Sequence, residues 1–337
     1  MIEPFKVEVS QHRGSSYEVG MHSGQRVKGK QIVNVYESIT REQIDVDEME
    51  ALFKTFAPHL LDEMEGLAEA LTWSFAKVAT CFSGYDIPKV EAMGCSTMMS
   101  DSYYVRNYDF SPELYDHRFA LSDPKEGFAT AGYPLQLLGR HDGVNEHGLV
   151  AGFHFVSNAD YQTGISAWTA IRMVLDTCTS TEDAVRLLKT IPHAACYNFS
   201  IADASGKQVA VEATPTTVNV RHSTNALACV NHFQTEPLQT ANRTNIEGSK
   251  KRNEYIQQLI EKKVSFADAF RLFSLKGSPL FYTDYEQLFG TLHTFAYEFT
   301  TSRVVTCPAG RIDVLDFIFT DWVNGEDLRL DHVLGER

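Results

Sequence analysis

The chain has 337 residues, of which 43% are hydrophobic, and this is enough for a sizeable core in one large domain or two small ones. Its 30 basic and 44 acidic side chains give a formal net charge of −14. This charge argues against binding of nucleic acid through phosphate contacts and against attraction to an anionic membrane surface. No stretch approaches the length of an apolar membrane span, and the first residues lack the basic and apolar regions of a signal peptide.

The first 94 residues are predicted to be mainly helical. One predicted helix runs on to Val35, and a second covers residues 49–71, where apolar residues recur at helical spacing and Pro58 is expected to cause a kink. Candidate N-cap residues precede both helices, namely Ser15 or Ser16 for the first and Asp45 or Asp47 for the second.

At residue 95 the pattern changes to short strands. Residues 95–100 and 103–109 are predicted to form a hairpin with a tight turn at Asp101-Ser102, and a loop-rich stretch is predicted from there to Asn145. The order of elements predicts a layered α+β fold with packed sheets. The remaining predicted elements are strands at 148–156, 197–203, 209–213, 218–221, 227–231, 291–299, 304–307 and 311–317, and helices at 167–178, 181–190 (capped by Thr181), 250–262 and 265–275.

The cysteines are scattered along the chain without a CxxC motif. In a chain of this size they are expected to be mostly reduced and buried, which predicts a cytoplasmic protein. The histidines show neither an HExxH motif nor the spacing of zinc ligands, so a zinc site is not expected. The six cysteines are Cys81, Cys95, Cys178, Cys196, Cys229 and Cys307.

Cys95 is the candidate nucleophile, because it follows Met93-Gly94 and the next predicted strand carries Arg106 and Asp109. If the Gly94-Cys95 bond is cut, Cys95 carries a thiol and an α-amine on one residue. An α-amine has a pKa of about 7.7–8.0, so its free base can take up the thiol proton near neutral pH. A lone cysteine is more often a small apolar core residue, so a purely structural role remains open at this point.

Taken together, these motifs resemble the autoproteolytic acyltransferases and hydrolases related to isopenicillin-N acyltransferase. That family is part of the N-terminal-nucleophile superfamily, which includes bile salt hydrolase and penicillin V acylase. The resemblance extends over nearly the whole chain. It is carried by Gly14–Gly20 with Gly24, by residues 63–68, by Gly94-Cys95, by Arg106-Asn107-Tyr108-Asp109, by residues 143–149, by residues 201–203 with Gly206-Lys207 and Val211-Glu212, and by Val230-Asn231-His232-Phe233.

The resemblance implies a fold and a division of the chain. The implied fold is a four-layer αββα sandwich of two antiparallel sheets. Residues 1–94 would be a helical leader or α-subunit and residues 95–337 a nucleophile-bearing β-subunit, together forming one folded unit. Self-cleavage between Gly94 and Cys95 would separate the two segments.

The resemblance also implies roles for other residues of the site. Arg106 would favour the thiolate of Cys95, Asp109 would orient the new α-ammonium group, and Asn231 would donate a hydrogen bond to the oxyanion. Arg252 is similar to an arginine that braces the site. Each residue also has a structural explanation, because surface arginines, turn aspartates, strand-end asparagines and basic helix starts are common.

His154 occupies a position where bile salt hydrolases have asparagine and penicillin V acylases have tyrosine. A polar, pH-sensitive role near the oxyanion and a role as a hydrogen-bonded core histidine are both open. Tyr108 and Phe153 are expected to line a mostly apolar pocket for a medium or aryl acyl group, although strand aromatics more often belong to the core. They are part of the larger aromatic set Tyr103, Tyr104, Tyr108, Phe110, Phe153 and Phe155.

We therefore expect a cysteine N-terminal-nucleophile amidohydrolase that cleaves a linear N-acyl amide through a thioester, without a metal or organic cofactor. One alternative is an acyltransferase that moves an acyl group from acyl-CoA or an amide to an amine, and another is a binding protein that never cleaves itself. The expected partner is a small-molecule N-acyl amide or acyl-CoA. No nucleic acid or membrane partner is expected, and association of processed heterodimers into a homo-oligomer remains open.

Overall fold

A computed structural model describes residues 4–89, 94–287 and 289–336 of the chain. Its strands are β1 (Pro4–Gly14), β2 (Gly94–Ser100), β3 (Tyr103–Phe110), β4 (Arg118–Pro124), β5 (Thr130–Leu135), β6 (Gly139–Asn145), β7 (Val150–Ser157), β8 (Cys196–Ala202), β9 (Gln208–Ala213), β10 (Val218–His222), β11 (Ala226–Cys229), β12 (Thr283–Asp284), β13 (Phe289–Glu298), β14 (Arg303–Pro308), β15 (Leu315–Ile318) and β16 (His332–Glu336).

The helices lie on either side of Cys95 in the sequence. Those before it are α1 (Ser16–Val27), α2 (Gln31–Ile39), α3 (Val46–Phe56), α4 (His59–Leu71) and α5 (Phe75–Phe82). Those after it are α6 (Ala167–Thr177), α7 (Thr181–Thr190), α8 (Glu247–Glu261), α9 (Phe266–Ser274) and α10 (Phe319–Val323). None of the helices in the described residues is both long enough and apolar enough to cross a membrane.

Two sheets face each other and form the centre of the fold. The larger sheet has nine strands in the order β10-β9-β8-β7-β6-β5-β4-β1-β16, and the smaller one runs β11-β2-β3-β13-β14-β15 with β12 paired to β13. Helices α6 and α7 pack on the larger sheet, whereas α8 and α9 pack on the smaller one. The expected αββα sandwich is therefore confirmed, and the pairing is antiparallel throughout except between β1 and β4, which run parallel.

Several local predictions are also confirmed. The β2–β3 hairpin pairs Gly94 with Asp109 and Cys95 with Tyr108. Ser15 caps α1 in a capping box with Glu18, in which each side chain bonds the other residue's backbone N–H. The predicted kink at Pro58 is a complete break, so residues 49–71 form most of α3 and the whole of α4.

Other predictions were wrong. The stretch before Asn145 is not loop-rich, because it contains β4, β5 and β6. Ser180 rather than Thr181 caps α7, and the strand expected from residue 311 begins only at Leu315. The leader also contributes β1, whose residues Phe5, Val7 and Val9 alternate into the core.

The leader helices α1 and α4 approach each other very closely at two glycines. A Cβ atom added to Gly20 would lie 1.9 Å from the carbonyl oxygen of Glu63, and one added to Gly66 would lie 2.0 Å from that of Tyr17. Only glycine fits at these crossing points. The leader motifs that carry the family resemblance are thus explained, at these two positions, by helix packing.

Two further motifs also have structural roles. Asn145 donates from its amide to the carbonyl oxygens of Leu175 and Cys178 and so satisfies the end of α6. Gly148 adopts a φ of 74°, which favours glycine in the turn that follows. Asp203 accepts a hydrogen bond from the backbone N–H of Thr181 at the start of α7.

Candidate active site

Cys95 lies at the start of β2, directly opposite Tyr108 on β3. Its side chain is 0% exposed, and it belongs to the core cluster between the two sheets. The flanking Met93 of the sequence motif lies outside the described residues. The nucleophile predicted from the sequence is therefore fully enclosed in the intact chain.

Arg106 holds the thiol of Cys95. Its Nη2 lies 3.2 Å from Cys95 Sγ and also donates to the carbonyl oxygen of Phe153 at 2.5 Å. Burial raises the pKa of the Cys95 thiol to about 11, even though the Arg106 charge acts in the opposite direction. In the uncut chain this thiol is consequently protonated at neutral pH.

Asn231 holds the backbone of Cys95 at the point where β11 has ended. Its Oδ1 accepts a hydrogen bond from the Cys95 backbone N–H at 2.7 Å, while its Nδ2 donates to the carbonyl oxygen of Phe155 at 2.9 Å. Asn198 on β8 fixes this segment by donating to the carbonyl oxygens of Val230 and His232 on either side. One N–H of the Asn231 amide is thus already used, and the second has no acceptor among the described residues.

Arg252 on α8 braces the same corner from the outer side of the smaller sheet. Its Nη1 donates to the carbonyl oxygen of Cys95 at 2.5 Å and to Ser96 Oγ at 3.0 Å. Its Nη2 donates to Asn231 Oδ1 at 3.0 Å. The residue is only 4% exposed, so the basic start of α8 is not simply a solvated helix face at Arg252.

Asp109 lies beside the bond that would be cut. Its Oδ1 accepts a hydrogen bond from Thr291 Oγ1 at 2.7 Å, its Oδ2 has no hydrogen-bond partner among the described residues, and Arg252 is 3.8 Å away. A Cβ atom added to Gly94 would lie 3.0 Å from Asp109 Oδ2, so glycine leaves this carboxylate room. Burial raises the pKa of Asp109, against the opposing effect of Arg252.

His154 is buried next to this group and hydrogen-bonded through one nitrogen. Its Nε2 lies 3.2 Å from Thr97 Oγ1 and 3.0 Å from Ser200 Oγ, whereas Nδ1 has no partner among the described residues. Burial and the positive charge of Arg106 hold the pKa of His154 well below its usual value. It is therefore neutral at physiological pH.

The aromatic set does not form one group. Tyr104, Tyr108 and Phe153 belong to the core between the sheets, whereas Tyr103 packs in the separate core of α8 and α9 and donates to the carbonyl oxygen of Val264. The difference between Tyr103 and Tyr104 follows from the alternation of side chains along β3.

Sequence reasoning missed a chain of buried polar residues behind Arg106. Arg106 Nη1 and His293 Nε2 both contact Asp142 Oδ2, at 2.5 and 2.9 Å, and Tyr115 donates to His293 Nδ1. His293 and Arg106 together outweigh burial and lower the pKa of Asp142, which keeps it ionised. Asp142 and His293 come from β6 and β13, far from Arg106 in sequence, and no motif spacing links them.

Among residues 4–89, 94–287 and 289–336, no group of three or more histidine, cysteine or acidic side chains is arranged to hold a metal ion. All six cysteines fall within these ranges, and each is buried and unpaired.

The structure is an αββα sandwich in which a buried cysteine at the start of a central strand contacts two arginines and an asparagine, with an aspartate on the paired strand, and this is the arrangement expected of the N-terminal-nucleophile class of hydrolases. Residues 97–313 match the family of acyl-coenzyme A:6-aminopenicillanic acid acyl-transferase. This match covers more than half of the chain, so the chain belongs to that family, and it is an enzyme of the amidase and acyltransferase class. The matched segment includes Arg106, Asp109, Asn231 and Arg252 but begins just after Cys95.

Several solved structures are also similar to this chain. They include a mutant of conjugated bile acid hydrolase from Clostridium perfringens, with 15% identity, a TM-score of 0.46 and coverage of 73% of this chain and 96% of that chain. Penicillin V acylase from Agrobacterium tumefaciens has 16% identity, a TM-score of 0.45 and coverage of 67% and 86%. The Caenorhabditis elegans orthologue of N-acylethanolamine-hydrolyzing acid amidase has 11% identity, a TM-score of 0.42 and coverage of 60% and 92%. A search of the curated proteins gave no match.

Proposed function

We propose that this chain is a cysteine N-terminal-nucleophile amidohydrolase that cleaves a linear N-acyl amide through a thioester on Cys95. The observation that carries the proposal is the contact of 3.2 Å between Arg106 Nη2 and Cys95 Sγ, on a residue whose backbone N–H is held by Asn231. A structural core cysteine needs neither a buried cation at its sulfur nor a side-chain acceptor at its amide.

Self-cleavage between Gly94 and Cys95 activates the enzyme. The Cys95 thiol attacks the Gly94 carbonyl carbon, the C–N bond breaks, and the thiol proton ends on the released Cys95 nitrogen. Water then opens the thioester to give a Gly94 carboxylate and a free thiol. The full burial of Cys95 in the uncut chain supports this order, because cleavage must precede access by a substrate.

Turnover uses the same atoms. The new α-amine of Cys95 takes the thiol proton, and the sulfur attacks the acyl carbonyl of the substrate. The remaining N–H of Asn231 donates to the oxyanion, the Cys95 ammonium protonates the leaving amine, and water releases the acid from the thioester. Asp109 orients the ammonium group, and Arg106 and Arg252 hold the sulfur and the Cys95 backbone.

Residues 1–94 and 95–337 form the two subunits and remain one folded unit. That the two segments remain one folded unit is supported by β1, which pairs with β4 and β16 of the second segment, and by a buried ion pair between Glu63 on α4 and Arg172 on α6. Cytoplasmic localisation is supported by the six buried, unpaired thiols. Association of the processed heterodimers into homo-oligomers stays a prediction.

Transfer of the acyl group to an amine is the second candidate function, because the description of the matched family names an acyl-coenzyme A acyl-transferase. Both activities share the Cys95 thioester and differ only in what consumes it. Adding increasing concentrations of an acceptor amine to a turnover reaction separates them. A hydrolase releases free acid throughout, whereas a transferase diverts most of the acyl group to the new amide or accepts it from acyl-CoA.

Trapping the thioester tests the proposal. Wild-type protein mixed with an N-acyl amide and quenched in acid is expected to carry the acyl mass on the peptide that contains Cys95. A Cys229→Ser variant is the matched control, because Cys229 is another buried cysteine on the neighbouring strand β11 and should leave the adduct unchanged. Turnover of the amide by a Cys95→Ala variant would contradict the proposal.

A further inference from the structure

Buried polar atoms without a hydrogen-bond partner gather around Cys95. In the described chain they include Tyr108 OH, Arg106 Nε, Asp142 Oδ1 and both ring nitrogens of His141. Native proteins rarely leave buried polar groups unpaired, because each such group costs free energy. Several on adjoining residues indicate that another molecule completes their hydrogen bonds.

His141 is the most unusual member of this group. It is 0% exposed, and neither nitrogen has a hydrogen-bond partner in the described chain. Its ring centroid lies 3.8 Å from that of Tyr108, which faces Cys95 directly across the hairpin. The Tyr108–His141 pair therefore lies next to the nucleophile.

A β-bulge directs His141 into this space. In the β5–β6 ladder Tyr133 pairs with Asp142 and Pro134 with Arg140, so His141 is the extra residue. The bulge lets two consecutive residues face the smaller sheet, Asp142 towards Arg106 and His141 towards Tyr108. Bulges that redirect a side chain are common beside active sites.

The chemistry of the pair limits what it would bind. Burial and the nearby His293 hold the pKa of His141 well below its usual value, so the ring is neutral, with one nitrogen as donor and the other as acceptor. The Tyr108 hydroxyl can also donate and accept. Phe153 lies nearly parallel to His141 with ring centroids 6.3 Å apart, so one apolar ring borders these polar tips.

We infer that Tyr108 and His141 form a hydrogen-bonding subsite for the acyl group, and that the substrate is an amide of a hydroxylated acyl chain. A hydroxyl group both donates and accepts, which matches these two polar tips, and Phe153 offers an apolar contact to the chain that carries it. The inference rests on the proposed function, because it concerns the acyl group that Cys95 receives. His141 is the residue that sets specificity.

The test measures kcat/KM of processed wild-type enzyme for a series of amides of one fluorogenic amine. The acyl group is either hexanoyl or a hydroxyhexanoyl group with the hydroxyl at a different position in each amide. We expect kcat/KM for the best hydroxylated isomer to exceed that for hexanoyl by about 10-fold or more. His141→Phe keeps an aromatic ring without its nitrogens and should bring this ratio close to one. Tyr108→Phe should lower the same ratio independently, and His141→Asn, which keeps a polar head, should restore part of it.

Two matched variants show whether the change in ratio is specific. Tyr104→Phe removes a hydroxyl group from the same strand, where it bonds Ser200, and His193→Phe removes a buried histidine elsewhere. Both should leave the ratio unchanged. The subsite would be overturned if the wild type preferred hexanoyl to every hydroxylated isomer. It would also be overturned if the ratio of kcat/KM values were unchanged in both His141→Phe and Tyr108→Phe. In either case ordered water would be the occupant of these hydrogen-bonding groups. Failure of every amide to acylate Cys95 would overturn the proposed function as well.

Discussion

Two buried arginines in this molecule have opposite surroundings. Every nitrogen of Arg172 donates a hydrogen bond: Nε to Asp176, Nη1 to Glu63 and the carbonyl oxygen of Leu138, and Nη2 to Glu63. Arg106 is equally buried, yet its Nε has no hydrogen-bond partner in the described chain, and its neighbours Tyr108 and His141 also carry such atoms.

The difference separates a structural network from a site. The Arg172 network joins α4 of the leader to α6 and also holds His59 through Asp176, leaving one oxygen of Asp176 without a partner among the described residues. Because its hydrogen bonds are nearly complete, it fixes one arrangement. The Arg106 network is incomplete at Arg106 Nε and Asp142 Oδ1, and the neighbouring Tyr108 and His141 carry the unpartnered atoms that the proposed substrate would bond.

The largest effect on stability is expected from the Arg172 network. Glu63→Gln removes one of the two carboxylates that neutralise buried Arg172 and leaves Asp176, so the free energy of unfolding should fall by up to about 3–5 kcal/mol, the cost of breaking a buried ion pair. Glu65→Gln is the matched control, because Glu65 is on the same helix and exposed. Urea unfolding at one fixed protein concentration measures both.

The structural account of this network also predicts that folded Glu63→Gln protein keeps the kcat of the wild type. Equal unfolding midpoints for Glu63→Gln and Glu65→Gln would show that the leader is held by other contacts. A large fall in kcat at unchanged stability would instead assign Glu63 to the site.

A smaller effect, on rate rather than stability, is expected at Asn231. Asn231→Ala removes the proposed oxyanion donor and should lower kcat by about 10²-fold or more in processed enzyme. Asn225→Ala, in the exposed turn before β11, serves as the control. An unchanged kcat in correctly processed Asn231→Ala enzyme would remove this residue from the chemistry.

Asp109→Asn should give the smallest change in stability, and unlike Glu63→Gln it should stabilise the protein. The pKa of Asp109 is raised by burial above the unfolded value of about 3.9. The stability that this group contributes is therefore full below that pH and is lost as the pH rises through the native pKa. In a Cys95→Ala background, where no chain is cut, Asp109→Asn should raise the melting temperature at pH 7, and the gain should shrink as the pH is lowered towards about 4.

The same substitution should impair processing, turnover or both when Cys95 is present, because the new α-ammonium loses its charged partner. Asp101→Asn, in the exposed turn of the same hairpin, is the control for both measurements. A fully processed and fully active Asp109→Asn enzyme would contradict the role of Asp109. A fall in the melting temperature of the Asp109→Asn variant at pH 7 would contradict the claim that the buried carboxylate destabilises the fold.

The hairpin that carries Cys95, Arg106 and Asp109 was predictable because its strands are short, apolar and separated by a polar turn. The strands β4 to β6 were not, because glycine, proline and buried charged residues interrupt their apolar pattern, as in Gly139–Asn145. The strand β1 has a clear alternation of apolar and polar residues, but it lies in a segment whose other elements are helices.

The site was predictable only where family motifs mark it. Asp142 and His293 meet Arg106 through pairing between distant strands, and His141 and His293 both lie at or beside bulges, where simple alternation along a strand fails. Sequence periodicity carries no signal for an extra residue in a ladder. The position of Asn231 next to the Cys95 amide likewise depends on Asn198, which holds the backbone beside Asn231. No local sequence pattern indicates this contact between distant residues.

The most direct test of the central claim is the intact mass of the purified protein together with its amidase activity. Wild-type protein is expected to yield two chains, residues 1–94 and 95–337, which elute together under native conditions and turn over an N-acyl amide. The Cys95→Ala variant should remain one inactive chain. Wild-type protein that stays uncut and still turns over the amide would contradict the claim that Cys95 acts as an N-terminal nucleophile.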